Sequence, residues 1–88
     1  MGGQTAGRLV VARPVHDDVR FRFELPERGE AGIDVFDLSG RSVGRVDGTW
    51  GAGVNEARWS ARGIGPGVYF ARLTQGKRSE VLRFVRVR

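Results

Sequence analysis

The sequence predicts an all-β fold, a seven-stranded antiparallel β-sandwich, and three observations carry that expectation. Apolar residues recur with period two, most cleanly where Val19, Phe21, Phe23 and Leu25 alternate with Arg20, Arg22 and Glu24, the pattern of a strand with one buried face. Short segments of this kind follow one another at roughly ten-residue spacing, with turn residues between them. No stretch of ten or more residues carries the apolar stripe of a helix.

Taken in order, the small polar opening over residues 1–7 reads as a flexible tail or linker, and residues 8–88 as the sandwich domain. A first strand covers residues 8–12 and ends at Arg13-Pro14, and His16-Asp17-Asp18 makes a polar turn. The second strand, residues 19–25, is broken by Pro26-Glu27-Arg28-Gly29. A third spans residues 33–38, with Ala31, Ile33 and Val35 on one face. Ser39-Gly40-Arg41 is a tight turn, so residues 42–46 pair back as a hairpin. Residues 47–53 read as a glycine-rich loop holding Trp50. Asn55, Ala57 and Trp59 then share one face of a fifth strand, with Trp59 as core anchor.

After a loop over residues 60–65, Gly65-Pro66-Gly67 forces a turn, since glycine accepts positive φ and proline fixes φ near −65°. The run that follows, residues 68–74, is the densest in β-branched and aromatic side chains. It reads as the buried strand around which the others pack. Gln75-Gly76-Lys77-Arg78 is a polar hairpin turn. The last strand covers residues 80–87, and its parity changes: Leu82 and Phe84 share one face, Val85 and Val87 the other. That switch implies a bulge or a strand buried on both faces.

Composition bounds the function. With 88 residues there is room for one core, burying about 60–65% of the unfolded surface. The absence of cysteine removes disulfides and thiolate metal sites. The net charge of +5 is carried almost wholly by arginine, Lys77 being the only lysine. A pI near 11.2 raises polyanions or an anionic membrane surface as partners. The arginines alternate with apolar residues, as outward positions of strands do, and they form no basic cluster, so no nucleic-acid partner is expected. No apolar run is long enough to span a membrane, and the N-terminus lacks the apolar core of a signal peptide. An exported protein carrying this sequence would be a longer precursor.

Candidate chemistry is sparse. His16-Asp17-Asp18 offers metal-binding side chains but no converging third or fourth ligand. Asp34 and Asp37 have odd spacing along a strand and fall on opposite faces, so they do not form an acid–base pair. Ser39, Ser42, Ser60 and Ser79 lack a nucleophile-elbow setting. Neither glycine-rich stretch leads into the helix that a phosphate loop requires. The chain reads as non-catalytic, without cofactor or metal.

Several motifs recur in an order that resembles a known family. Phe21-x-Phe23-Glu24-Leu25-Pro26 is followed by Ile33-x-Val35-Phe36-Asp37-x-x-Gly40-Arg41-x-Val43 and by Gly53-x-Asn55-x-Ala57-x-Trp59. Pro66-Gly67-Val68-Tyr69-Phe70-x-x-Leu73 and a closing Leu82-x-Phe84-Val85-x-Val87-Arg88 complete the series. The chain resembles the C-terminal sorting domain of type IX secretion cargo, and is similar to the Ig-like domain of the flagellar hook-cap family. The most specific pieces are Asp37-x-x-Gly40-Arg41 and Pro66-Gly67-Val68-Tyr69-Phe70.

The resemblance implies an Ig-like sandwich at the C-terminus of a secreted or cell-surface cargo protein. That cargo would lie N-terminal to this domain and cross by way of the periplasm. The folded domain would be read by secretion-machinery proteins of the outer membrane. Gly40 and Arg41 would turn the hairpin, Trp59 would plug the sandwich, and Gly67, Val68 and Tyr69 would start the central strand, with Asp37 and Pro66 as further residues of the family motif. The stretch Leu82-Arg83-Phe84-Val85-Arg86-Val87-Arg88 would be the part recognised. Two departures stand out: Arg13-Pro14-Val15 replaces the family's Asn-Pro, and Arg83, Arg86 and Arg88 stand where lysine is usual. Alternative readings are a hook-cap-like scaffold, or an accessory module binding carbohydrate or packing beside a catalytic domain, with Trp50 as its exposed aromatic.

Overall fold

Period-two burial organises the described residues into seven strands: β1 (Arg8–Val15), β2 (Asp18–Leu25), β3 (Gly29–Asp37), β4 (Ser42–Trp50), β5 (Gly53–Ser60), β6 (Gly67–Gln75) and β7 (Arg78–Arg86). The structure is a computed structural model, and it describes residues 8–15 and 17–87. The tail expected over residues 1–7 lies outside the described residues, as do His16 and Arg88.

All pairing is antiparallel. The strands form a three-stranded sheet ordered β1-β2-β5 and a four-stranded sheet ordered β4-β3-β6-β7, the two layers of an Ig-like sandwich. The core is the set of inward positions that the alternation marks. Val19, Phe21, Phe23 and Leu25 of β2 meet Ile33 and Val35 of β3 and Ala71 and Leu73 of β6, all almost fully buried. Phe84 of β7 sets its ring edge-on to Phe21 and stacks on Tyr69, with centroids 6.2 and 5.8 Å apart.

The two open sides of the sandwich close differently. Along β1 and β7, the Leu9 N–H donates to the Glu80 carboxylate at 2.6 Å. Along β4 and β5 the closure is aromatic. Trp50 sets its ring edge-on to Phe23 at 5.1 Å and its indole N–H points to the Ala31 carbonyl at 3.4 Å. Trp59, from the other sheet, lies against Gly44 so closely that a methyl group there would overlap the indole.

Several details differ from the sequence expectation, β3 already beginning at Gly29 and β7 at Arg78, and three differences have a clear physical reason. β1 continues through Arg13 and Pro14, because β1 is an edge strand and tolerates a residue with no N–H to donate. The loop expected over residues 47–53 is mostly strand. Val46, Gly48 and Trp50 occupy inward positions opposite Ile33, Ala31 and Gly29, and the alternation is masked because the Trp50 indole takes the space above Gly48. In β7 there is neither a bulge nor burial on both faces. Its register with β6 runs unbroken from Gly67↔Arg86 to Gln75↔Arg78, and Val81 and Val85 are outward and exposed. The apolar outer positions are surface.

Candidate recognition surface

The turn between β3 and β4 is built around one carboxylate. Asp37 Oδ1 accepts from the Ser39 N–H at 3.0 Å, the Ser39 hydroxyl at 2.7 Å and the Arg41 N–H at 3.0 Å. Its other oxygen pairs with Arg41 Nε at 3.2 Å. The backbone adds a bond from Gly40 N–H to the Asp37 carbonyl at 3.0 Å, and Gly40 takes a φ of 89° that side chains disfavour. The Ser39 hydroxyl and the Arg41 N–H together hold the Asp37 carboxyl below its ordinary pKa. Asp37, Gly40 and Arg41 thus form one hydrogen-bonded turn, which explains their spacing.

A second knot joins the loop before β6 to the core. Gly67 has φ 150°, a region open only to glycine; it follows exposed Pro66 and places Tyr69 inward. The Tyr69 hydroxyl donates to the Gly65 carbonyl at 2.6 Å, while the Ala61 N–H donates to the Asp17 carbonyl at 2.6 Å. Asn55 does similar work at the β4–β5 turn, donating to the Gly51 and Gly53 carbonyls at 2.9 and 3.2 Å.

The stretch from Leu82 to Arg88 divides by face. Phe84 is in the core, Leu82 is half-buried against it, and Arg86 keeps only 12% of its side chain exposed, 3.5 Å from Asp17. Arg83, Val85 and Val87 are exposed, and Arg88 lies outside the described residues. In the folded domain a partner meets only the outward part of this stretch.

Those outward residues extend an apolar face that the sequence reading did not isolate. Phe36 of β3 stands opposite Phe70 of β6, which stands opposite Arg83 of β7; Val68 stands opposite Val85 in the same layer. The Arg72 guanidinium lies 4.9 Å over the Phe36 ring and 3.8 Å from Asp34. Further along this face Arg45 bridges Asp34 at 2.5 Å and Asp47 at 2.7 Å, beside a notch where Gly32 carries no side chain. The outer surface of β3, β6 and β7 therefore grades from aromatic and β-branched to ionic. The period-two rule, applied inside 68–74, would have found it: with Tyr69, Ala71 and Leu73 inward, Val68, Phe70 and Arg72 must face out. Trp50 packs against the core, so the outward aromatics are Phe36 and Phe70.

Elsewhere Asp17 faces Arg62 and Arg86, and Asp18 faces Arg58. The expected His16-Asp17-Asp18 turn falls partly outside the described residues, and among those described no group of three His, Cys, Asp or Glu converges. Among the described residues no helix is long and apolar enough to cross a membrane.

Compared with known proteins, residues 13–87 match the sequence model of one family, the secretion system C-terminal sorting domain. No match was found among curated proteins or among solved structures.

Proposed function

Because the chain belongs to the secretion system C-terminal sorting domain family, we propose that it is recognised as a folded domain by the type IX translocon of the outer membrane. A domain of this family marks a secreted or cell-surface cargo protein. The cargo would precede the sandwich in the chain and reach the translocon from the periplasm. The domain performs no turnover; it offers a surface.

The observation that carries this reading is the outward face of β3, β6 and β7. Aromatic and arginine side chains at a packed, half-buried patch are the composition of protein-interaction hot spots. Phe36, Phe70, Val68 and Val85, rimmed by Arg72 and Arg83, have that composition and include the exposed part of the last strand. An accessory module packing beside a neighbouring domain would use the same patch, so the assay must read transport.

Residues 8–88 are fused to the C-terminus of a periplasm-directed fluorescent reporter in a bacterium with type IX secretion. The comparison set is a truncation before Leu82, the outer-face variant Phe70→Thr/Val85→Thr, and Val54→Thr on the other sheet. Surface or medium signal from the intact fusion and from Val54→Thr, lost in the other two, is the expected result. Periplasmic retention of the intact, folded fusion would refute sorting and favour a scaffold or accessory role.

A further inference from the structure

The outer face of the three-stranded sheet carries a charge arrangement that folding does not explain. Arg13 of β1 stands directly opposite Arg20 of β2, and Arg20 directly opposite Arg58 of β5. All three are exposed. With neighbouring strands about 4.8 Å apart, they form a row about 10 Å long. Arg22 adds a fourth guanidinium two residues along β2, on the same face. Among the described residues Arg13, Arg20 and Arg22 have no ion-pair partner, and Arg58 only approaches Asp18, at 3.8 Å. A depression here is lined by Arg20, Glu56, Ala57 and Arg58. Like charges directly opposed weaken a sheet, so threonine or glutamate at position 20 would suit the strand better.

We infer that this face binds the phosphate groups of an anionic membrane surface. Each guanidinium can take a phosphate through two parallel hydrogen bonds, and a row of this length is too long for one phosphate. Its partner must present several anions across a plane, as a leaflet of acidic lipid does. An acidic protein fits less well. Protein interfaces draw their energy from aromatic anchors in pockets, and no described aromatic faces outward here, whereas Phe36 and Phe70 do so on the opposite sheet. Arg20 and Arg22 also sit on the central strand β2, which offers no free edge to an added peptide strand. The two faces of the sandwich then have separate tasks: the cationic face lies on lipid while the aromatic face stays accessible.

The test is co-sedimentation of the full chain with phosphatidylcholine vesicles, with and without phosphatidylglycerol, at low and high salt. Binding is expected only with phosphatidylglycerol and only at low salt. Each surface arginine contributes about fivefold to partitioning, so Arg13→Ser/Arg20→Ser is expected to lose roughly 25-fold. Arg28→Ser/Lys77→Ser, which removes the same charge from turns away from this face, is expected to lose less than about fivefold. Thermal melts keep the comparison independent of unfolding, because relieving the opposed arginines should leave the melting temperature equal or higher. Equal loss in both double variants would overturn the inference, since net charge alone would then suffice. Failure to bind phosphatidylglycerol, with binding to polyglutamate instead, would overturn it in favour of an acidic protein partner.

Discussion

Replacing Gly44 with alanine is expected to destabilise the sandwich through Trp59 rather than through the backbone. A Cβ at position 44 would stand 2.5 Å from the Trp59 indole nitrogen and closer still to two ring carbons, where ordinary carbon contacts are about 3.5–4.0 Å. The ring or β4 must shift by about 1 Å, and overpacking of this kind costs about 1–3 kcal/mol. Taking about 2 kcal/mol, the melting temperature of a domain this size should fall by roughly 8–16 °C. Once Trp59→Leu has emptied the seam, Gly44→Ala has nothing to strike. It then gains the roughly 0.5–1 kcal/mol by which alanine exceeds glycine inside a strand. The effect of one substitution therefore changes sign with its neighbour. Urea and thermal unfolding of the four proteins in the cycle, followed by far-UV circular dichroism, would measure a coupling of about 2–3 kcal/mol. An equal cost for Gly44→Ala in both backgrounds would refute the account of Trp59 as the closure between β4 and β5.

Other outcomes follow from the same geometry. Tyr69→Phe keeps the stack on Phe84 but removes the hydroxyl that donates to Gly65, and should cost about 1 kcal/mol in chemical denaturation. Asp37 has a folded-state pKa below its ordinary 3.8, so its ionised form favours folding. That contribution is complete above the unfolded-state value and fades as pH falls through the lowered folded-state one. Asp37→Asn should be less stable at neutral pH and show a flatter loss of stability in the acid limb, read from melts across that range. Arg20→Glu, which sets a carboxylate between Arg13 and Arg58, should raise stability by about 1 kcal/mol while abolishing attachment to acidic vesicles.

Much of the fold was legible because the signals were local. The alternation through residues 19–25 marks β2 and its buried side without reference to any other strand. The turn at Ser39-Gly40-Arg41 follows from residue type, whereas the part the Asp37 carboxylate plays in it shows only in its hydrogen bonds to Ser39 and Arg41. Residues 47–50 do not announce themselves as strand because glycine at an inward position looks like loop chemistry. Gly48 is glycine on account of the Trp50 ring above it, a contact between side chain and backbone that periodicity does not reveal. The valines of β7 show the opposite case: apolar character suggests burial, yet Val85 and Val81 lie on the outer face.

By itself the sequence determined the existence and order of the strands, most of the turns, the inward side of β2, and a motif order that identifies a sorting-domain family, but not where β1 and β4 end. It could do so because side-chain alternation and turn propensity act within a few residues. Which strands pair, and in what register, depends on packing between segments far apart in the chain, and only the tertiary structure decided that. Pairing places Phe36 beside Phe70 and lines up Arg13, Arg20 and Arg58 across three strands. Both surfaces are products of register: a shift by one residue would turn each strand's outer side chains into the core and dissolve them.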